Sequence, residues 1–282
     1  VGERIGTVVR DGLTFDVRDQ GPIDGEPVVL LHGFPQDARS WDGVAANLHE
    51  AGYRAIAPDQ RGYSPRARPR RRRDYRLFHL ADDVDALIAQ LGAGPVHLVG
   101  HDWGAAVAWV LAARRPSAVR TLTAVSVPHP AAFLRSMVTS TQLLKSWYML
   151  AFQLPWIPER LLSVPAVSNA VLRKTGQLPF AAARDVERMG DRPAVRGGLN
   201  WYRALPLTDP RSSLGRVEVP TLMVWSDADV AIGRAAVDAN PRYVAAPYRL
   251  ETLGGVSHWI PDEAPDKLAD LILAHIAQDR SL

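Results

Sequence analysis

The sequence predicts an α/β architecture, a mainly parallel twisted sheet flanked by helices and carrying an inserted helical cap. Three observations carry this expectation. Short, largely apolar runs recur along the chain, the stretches between them place apolar residues at helical spacing, and the alternation lapses over residues 131–213. A run that is apolar at every position suits a strand buried on both faces, as in a parallel sheet covered by helices.

The strand runs are residues 28–31, 53–57, 96–99, 121–125, 221–225 and 248–253. Between the first two, Trp41, Val44, Ala45 and Leu48 recur at helical spacing behind Ser40, a candidate cap, and before Gly52. Val84, Leu87, Ile88 and Leu91 do the same before Gly92, residues 104–113 read as a helix, and Leu268, Leu271, Ile272 and Ile276 mark a closing one. Residues 131–213 are rich in Leu, Trp, Pro and Ala. Their helical patterning is interrupted by Pro155, Pro158, Pro165, Pro179, Pro193 and Pro206, and nothing there resembles a central strand. The segment reads as the cap, and residues 1–130 and 214–282 as the core.

Composition narrows the function classes. At 282 residues the chain fits one enlarged α/β domain with an insertion. Cysteine is absent, which excludes disulfides and thiolate metal sites, and the scattered histidines form no zinc-ligand spacing. Neither a metal nor a cofactor is expected. No apolar run approaches the roughly 20 residues that span a bilayer, and the N-terminus lacks a signal-peptide pattern. The expectation is a cytoplasmic soluble protein without integral membrane association; a homodimer is left open. The net charge is +3, but Arg66, Arg68, Arg70, Arg71, Arg72, Arg73 and Arg76 against Asp74 put +6 into one loop, leaving −3 elsewhere. A single basic loop without interleaved aromatics reads as a solvated surface segment, so no nucleic-acid partner is expected.

The chemistry is concentrated at Gly100-His101-Asp102-Trp103-Gly104-Ala105, which follows the 96–99 strand and opens the next helix. Small residues at 100, 104 and 105 permit a tight strand-to-helix elbow that lifts residue 102 above the sheet edge. Serine hydrolases place a hydroxyl there; here it is a carboxylate, already anionic at neutral pH. Attack by serine on saturated carbon would leave an inert ether, whereas an alkylated Asp is an ester that activated water can cleave. After the 221–225 strand, Ser226-Asp227-Ala228-Asp229 offers two carboxylates, of which Asp229 is preferred. After the 248–253 strand, Gly254-Gly255-Val256-Ser257-His258-Trp259 offers an imidazole. The order nucleophile, acid, histidine is that of a hydrolytic triad on this kind of sheet. His32-Gly33-Phe34-Pro35, after the first strand run, can aim the Phe34 N–H at the elbow, where it joins the Trp103 N–H as an oxyanion hole. His97 reads as a strand position and His101 as a support of the turn; His49, His79, His129 and His275 fall in no recognisable constellation.

Together, His-Gly-Phe-Pro at 32–35, the elbow at 100–105, Asp229 and His258 resemble the epoxide hydrolases of the α/β-hydrolase superfamily, over nearly the whole chain and most strongly in the core. Haloalkane dehalogenases share the Asp-Trp elbow and the triad, so the leaving group must discriminate. An epoxide opens to an alkoxide that needs a proton; a halide does not. The resemblance implies two cap tyrosines for that task. Tyr202, in Asn200-Trp201-Tyr202-Arg203, and Tyr148, at the start of 148–155, look like them. Dehalogenases usually carry Asn where this chain has Phe34, which favours the epoxide. The implied reaction converts a small apolar epoxide and water to a vicinal diol: Asp102 attacks, Tyr148 and Tyr202 assist the departing oxygen, and His258 with Asp229 drives ester hydrolysis. Substrate contacts are expected from Pro35, Phe133, Met149 and Trp147, with Phe34, Trp103 and Phe152 adding apolar surface. A dehalogenase is the nearer alternative, and a non-catalytic ligand-binding protein the farther one. A serine esterase is disfavoured because no Gly-x-Ser-x-Gly occupies the elbow.

Overall fold

Each of the six apolar runs becomes a strand, with bounds that differ from the run by at most two residues at either end. In the computed structural model, which describes residues 3–208 and 215–279, they are β3 (Pro27–Leu31), β4 (Arg54–Pro58), β5 (Val96–His101), β6 (Val119–Val125), β7 (Thr221–Ser226) and β8 (Tyr248–Leu253). Two further strands precede them, β1 (Thr7–Arg10) and β2 (Leu13–Gln20). The sheet runs β1-β2-β4-β3-β5-β6-β7-β8; β1 and β2 pair antiparallel, β2 pairs antiparallel with β4, and every other pair is parallel. The β1–β2 hairpin was not expected. Most of its residues are exposed or half-buried, so it has no apolar run; its signal is Asp11-Gly12, both at positive φ (50° and 73°), in the two-residue turn that such hairpins favour.

Helices α1 (Asp42–Glu50), α2 (Leu77–Leu91) and α3 (Trp103–Arg114) link β3, β4, β5 and β6 in turn. Ser40 does not cap α1. It lies inside a 3₁₀ turn, Ala38–Trp41, and its hydroxyl donates to the Asp37 carbonyl while the Asp37 carboxylate caps that turn. Gly92 ends α2 in the left-handed conformation, as expected. Between β6 and β7 come α4 (Pro130–Thr139), α5 (Gln142–Lys145), α6 (Trp147–Ala151), α7 (Ile157–Leu162), α8 (Pro165–Lys174), α9 (Pro179–Met189) and α10 (Arg192–Ala204). The prolines that look like interruptions at 158, 165, 179 and 193 sit in the first turns of α7, α8, α9 and α10. There a missing N–H costs nothing, so they start helices. The expected boundary at 213/214 lies outside the described residues. The chain closes with α11 (Arg234–Asp238), α12 (Ile260–Glu263) and α13 (Pro265–Asp279).

Two apolar layers enclose the sheet. Val84, Leu87, Trp109 and Leu111 of α2 and α3 are buried on one face, and Val44, Leu48, Leu268 and Ile272 of α1 and α13 on the other. The parallel strands therefore end together at one edge. Ligands bind outside the carboxyl ends of such strands, and the loops leaving β3, β5, β7 and β8 carry Phe34, Asp102, Asp229 and His258. Among the described residues no helix is long and apolar enough to cross a membrane.

Candidate active site

The turn between β5 and α3 is strained. Asp102 has φ 52° and ψ −121°, a conformation a side chain rarely adopts. Its carbonyl accepts the N–H groups of Ala105 (3.0 Å) and Ala106 (3.2 Å), which pins the elbow to the start of α3. Two glycines let neighbouring backbone close in on it. A Cβ on Gly104 would lie 2.1 Å from the Leu31 carbonyl oxygen, and one on Gly33 would lie 2.4 Å from Cβ of Asp102. The β3 loop is thereby pressed against the carboxylate.

That approach gives Asp102 its first partner: the Phe34 N–H donates to Oδ1 at 2.9 Å. On the other oxygen, Oδ2 lies 3.5 Å from Nε2 of His258. The opposite ring nitrogen, Nδ1, stands 2.8 Å from Oδ2 of Asp229, whose Oδ1 accepts the N–H groups of Ala231 (2.8 Å) and Ile232 (2.9 Å). Asp229 is thus locked by its own loop and meets the imidazole. Asp227 does not; it accepts the Gly255 N–H at 2.7 Å and ties the β8 loop.

These distances set the charges. Burial alone would lower the pKa of His258, but the charge of Asp229 and hydrogen bonds to both carboxylates outweigh it, and the ring is pushed up to about 10. Burial alone would raise Asp102; the hydrogen bond and charge of His258, with help from the Phe34 N–H, hold it below the usual carboxylate value. The resting arrangement is therefore an imidazolium between two carboxylates. His101 is fully buried, 2.9 Å from the His258 carbonyl and 3.1 Å from Oε1 of Gln36. Burial, then the neighbouring His258 charge, lowers its pKa to about 4, so it supports the loop without competing for the proton.

Above Asp102 is a cavity of ≈ 300 Å³ whose walls are mainly apolar; Phe133, Leu134, Met137 and Met149 line it beside Asp102, Trp103, Tyr148 and Tyr202. The two tyrosine rings lie 6.1 Å apart, and Tyr202 stands edge-on to Trp103 at 4.9 Å. Burial, reinforced by the charge of Asp102, raises both phenols above their ordinary pKa, so each stays a neutral donor. Phe34 and Phe152 pack on Tyr202 at 5.5 and 5.0 Å. Two expected substrate contacts are absent from this wall. Trp147 is 68% exposed, because α6 turns Tyr148 and Met149 inward and its neighbour outward. Pro35 is buried next to Gln36, whose amide donates to Asp262 at 2.8 Å, within the layer that supports the elbow.

Sequence reasoning missed that supporting layer. Arg184 of α9 donates to both oxygens of Asp262 (2.7 and 2.9 Å), and Gln142 of α5 holds the Asp229 loop by accepting the Gly233 N–H and donating to the Ala231 carbonyl. No spacing announces such pairs, since their members lie 78 to 91 residues apart. Among the described residues, no group of three or more His, Cys, Asp or Glu could hold a metal ion.

The chain as a whole has relatives among known proteins. Residues 26–265 match the family described as alpha/beta hydrolase fold. The chain is 36% identical to an AB hydrolase superfamily protein, YfhM, of Bacillus subtilis, over 94% of this chain and 95% of that one. It is 33% identical to epoxide hydrolase 3 of Xenopus tropicalis, over 95% and 76% of the two chains. Among solved structures, an epoxide hydrolase of Vigna radiata superposes with a TM-score of 0.82 at 28% identity, covering 98% of each chain.

Proposed function

Starting from the fact that the chain belongs to the epoxide hydrolases of the α/β-hydrolase superfamily, we propose that it converts a small apolar epoxide and water to a vicinal diol through an ester on Asp102. One observation carries the reading: a carboxylate and two neutral phenols, Tyr148 and Tyr202, line the same apolar cavity. A halide needs no proton donor on leaving, whereas an opening epoxide does.

In the first step Asp102 attacks a ring carbon. The carbon–oxygen bond breaks, and the departing oxygen takes a proton from Tyr202 or Tyr148. Asp102 is an effective nucleophile because His258 and the Phe34 N–H keep it ionised inside an otherwise apolar site. The resulting ester is neutral, so one of the two charges holding the proton on His258 is gone, and that proton passes to the phenolate left by ring opening, which restores the phenol and leaves the imidazole neutral. The imidazole then accepts a proton from water, Asp229 stabilises the cation, and the hydroxide adds to Cγ of Asp102. Negative charge developing on Oδ1 meets the Phe34 N–H, already 2.9 Å away, and the Trp103 N–H, which as the first residue of α3 has no partner within the helix. Collapse releases the diol and restores the carboxylate. Helices α4 to α10 act as the cap that supplies both phenols and excludes bulk water.

A single turnover of styrene oxide with excess enzyme in ¹⁸O-water tests the ester. The expected diol carries no label, the ¹⁸O appearing in Asp102; a labelled first-turnover diol would mean direct attack by water. Parallel incubation with a bromoalkane is expected to release little halide, and halide release faster than diol formation would move the assignment to dehalogenation.

A further inference from the structure

The arginine-rich loop does not simply end in solvent. Together with α7 and α10 it encloses a groove of ≈ 580 Å³, lined by Arg70 and Arg72 from the loop and by Arg160, Arg192 and Arg196 from the helices. None of these five forms an ion pair among the described residues. The carboxylate in the groove wall, Glu159, is taken by Arg203, which donates to both of its oxygens, and Arg68 is taken by Asp191 at 2.8 Å. Among the described residues the groove therefore keeps five guanidinium groups outside any ion pair. It also receives the start of α10, a 13-residue helix whose first N–H groups get no side-chain cap and whose dipole adds positive potential.

We propose that this groove binds a soluble multivalent phosphate, a molecule bearing two or more phosphate groups. Concentrated like charge is relieved by a multivalent anion, and the planar guanidinium fork matches phosphate oxygens two at a time. The volume falls within the range of small-molecule sites, and the wall residues face one another across a concavity, a shape suited to a solute more than to a flat bilayer. Sequence alone reads the loop as solvated because its partners in the groove are 80 or more residues away in the chain, from Pro155 onward.

The test is isothermal titration of the intact protein with sodium tripolyphosphate at low salt. Saturable binding of one tripolyphosphate per chain is expected, weakened about tenfold or more in Arg72→Gln/Arg192→Gln/Arg196→Gln. The control, Arg66→Gln/Arg115→Gln/Arg234→Gln, removes the same charge from exposed positions outside the groove and is expected to stay within about twofold of wild type. Should the triple groove variant melt early, Arg192→Gln alone is expected to weaken binding about threefold. Absence of saturable binding, or equal weakening in the control, would overturn the proposal. So would retention on phosphatidylglycerol vesicles that tripolyphosphate fails to displace, which would assign the groove to lipid headgroups.

Discussion

His258 lies 3.5 Å from one carboxylate and 2.8 Å from another, and so holds its proton up to about pH 10. A protonated ring cannot take a proton from water; in the proposed mechanism the base appears only once Asp102 becomes an ester. Asp102→Asn is a neutral, isosteric stand-in for that ester. One charge at 3.5 Å is worth roughly 5 kcal/mol at an effective dielectric of about 20. At about 1.4 kcal/mol for each tenfold change in proton affinity, its removal should lower the His258 pKa by about 3.5, from about 10 to about 6.5. The assay is a pH titration of ¹⁵N-labelled histidine side chains by NMR, with His258 assigned by its disappearance in His258→Gln and retention of the amide in Asp102→Asn verified by mass. A variant ring that still titrates within about 1 of the wild-type value would refute the claim that alkylation switches His258 into a base.

The other consequences are more local. Tyr202→Phe removes a proton donor from the ring-opening step, so rapid-mixing measurements should show ester formation slowed on the order of 10²-fold or more; an unchanged rate would remove Tyr202 from the mechanism. Gly33→Ala puts a methyl group where Cβ of Asp102 stands, 2.4 Å away. Displacement of the nucleophile should cost on the order of 10²-fold in kcat, with circular dichroism showing an intact fold, and near-normal turnover would contradict the packing argument. The raised pKa of His258 also ties folding to pH. The folded chain holds a proton that the unfolded chain releases near pH 6.5, so this contribution is complete below that value and is lost as pH rises through about 10. Urea denaturation should therefore show Asp102→Asn losing less stability than wild type between pH 7 and pH 10.

The proximity of Asp102, His258, Asp229 and Phe34 is legible in the sequence because the signals for it are local. The elbow needs Gly104 to approach β3 and Gly100 to pack against the start of α3, and each partner of Asp102 follows a recognisable strand run. Features depending on distant pairs were not readable. Gln36, Arg184 and Asp262 meet only after folding, as do Arg72 and Arg196, and the β1–β2 hairpin has too little buried face for an apolar pattern. Within the helical segment, adjacency misled. Trp147 and Tyr148 are neighbours in the chain, yet successive residues of a helix point about 100° apart, and only Tyr148 reaches the cavity. The sequence favours Asp229 over Asp227, and Asp229 is the one that meets His258, at 2.8 Å.

The central claim, a covalent ester on Asp102 that His258 resolves, is met most directly by intact-protein mass spectrometry of His258→Gln after exposure to styrene oxide. The account predicts a mass gain equal to one whole epoxide, mapped to the peptide containing Asp102 and absent from Asp102→Ala/His258→Gln. An adduct that persists without Asp102, or steady diol production by His258→Gln with no adduct, would contradict it.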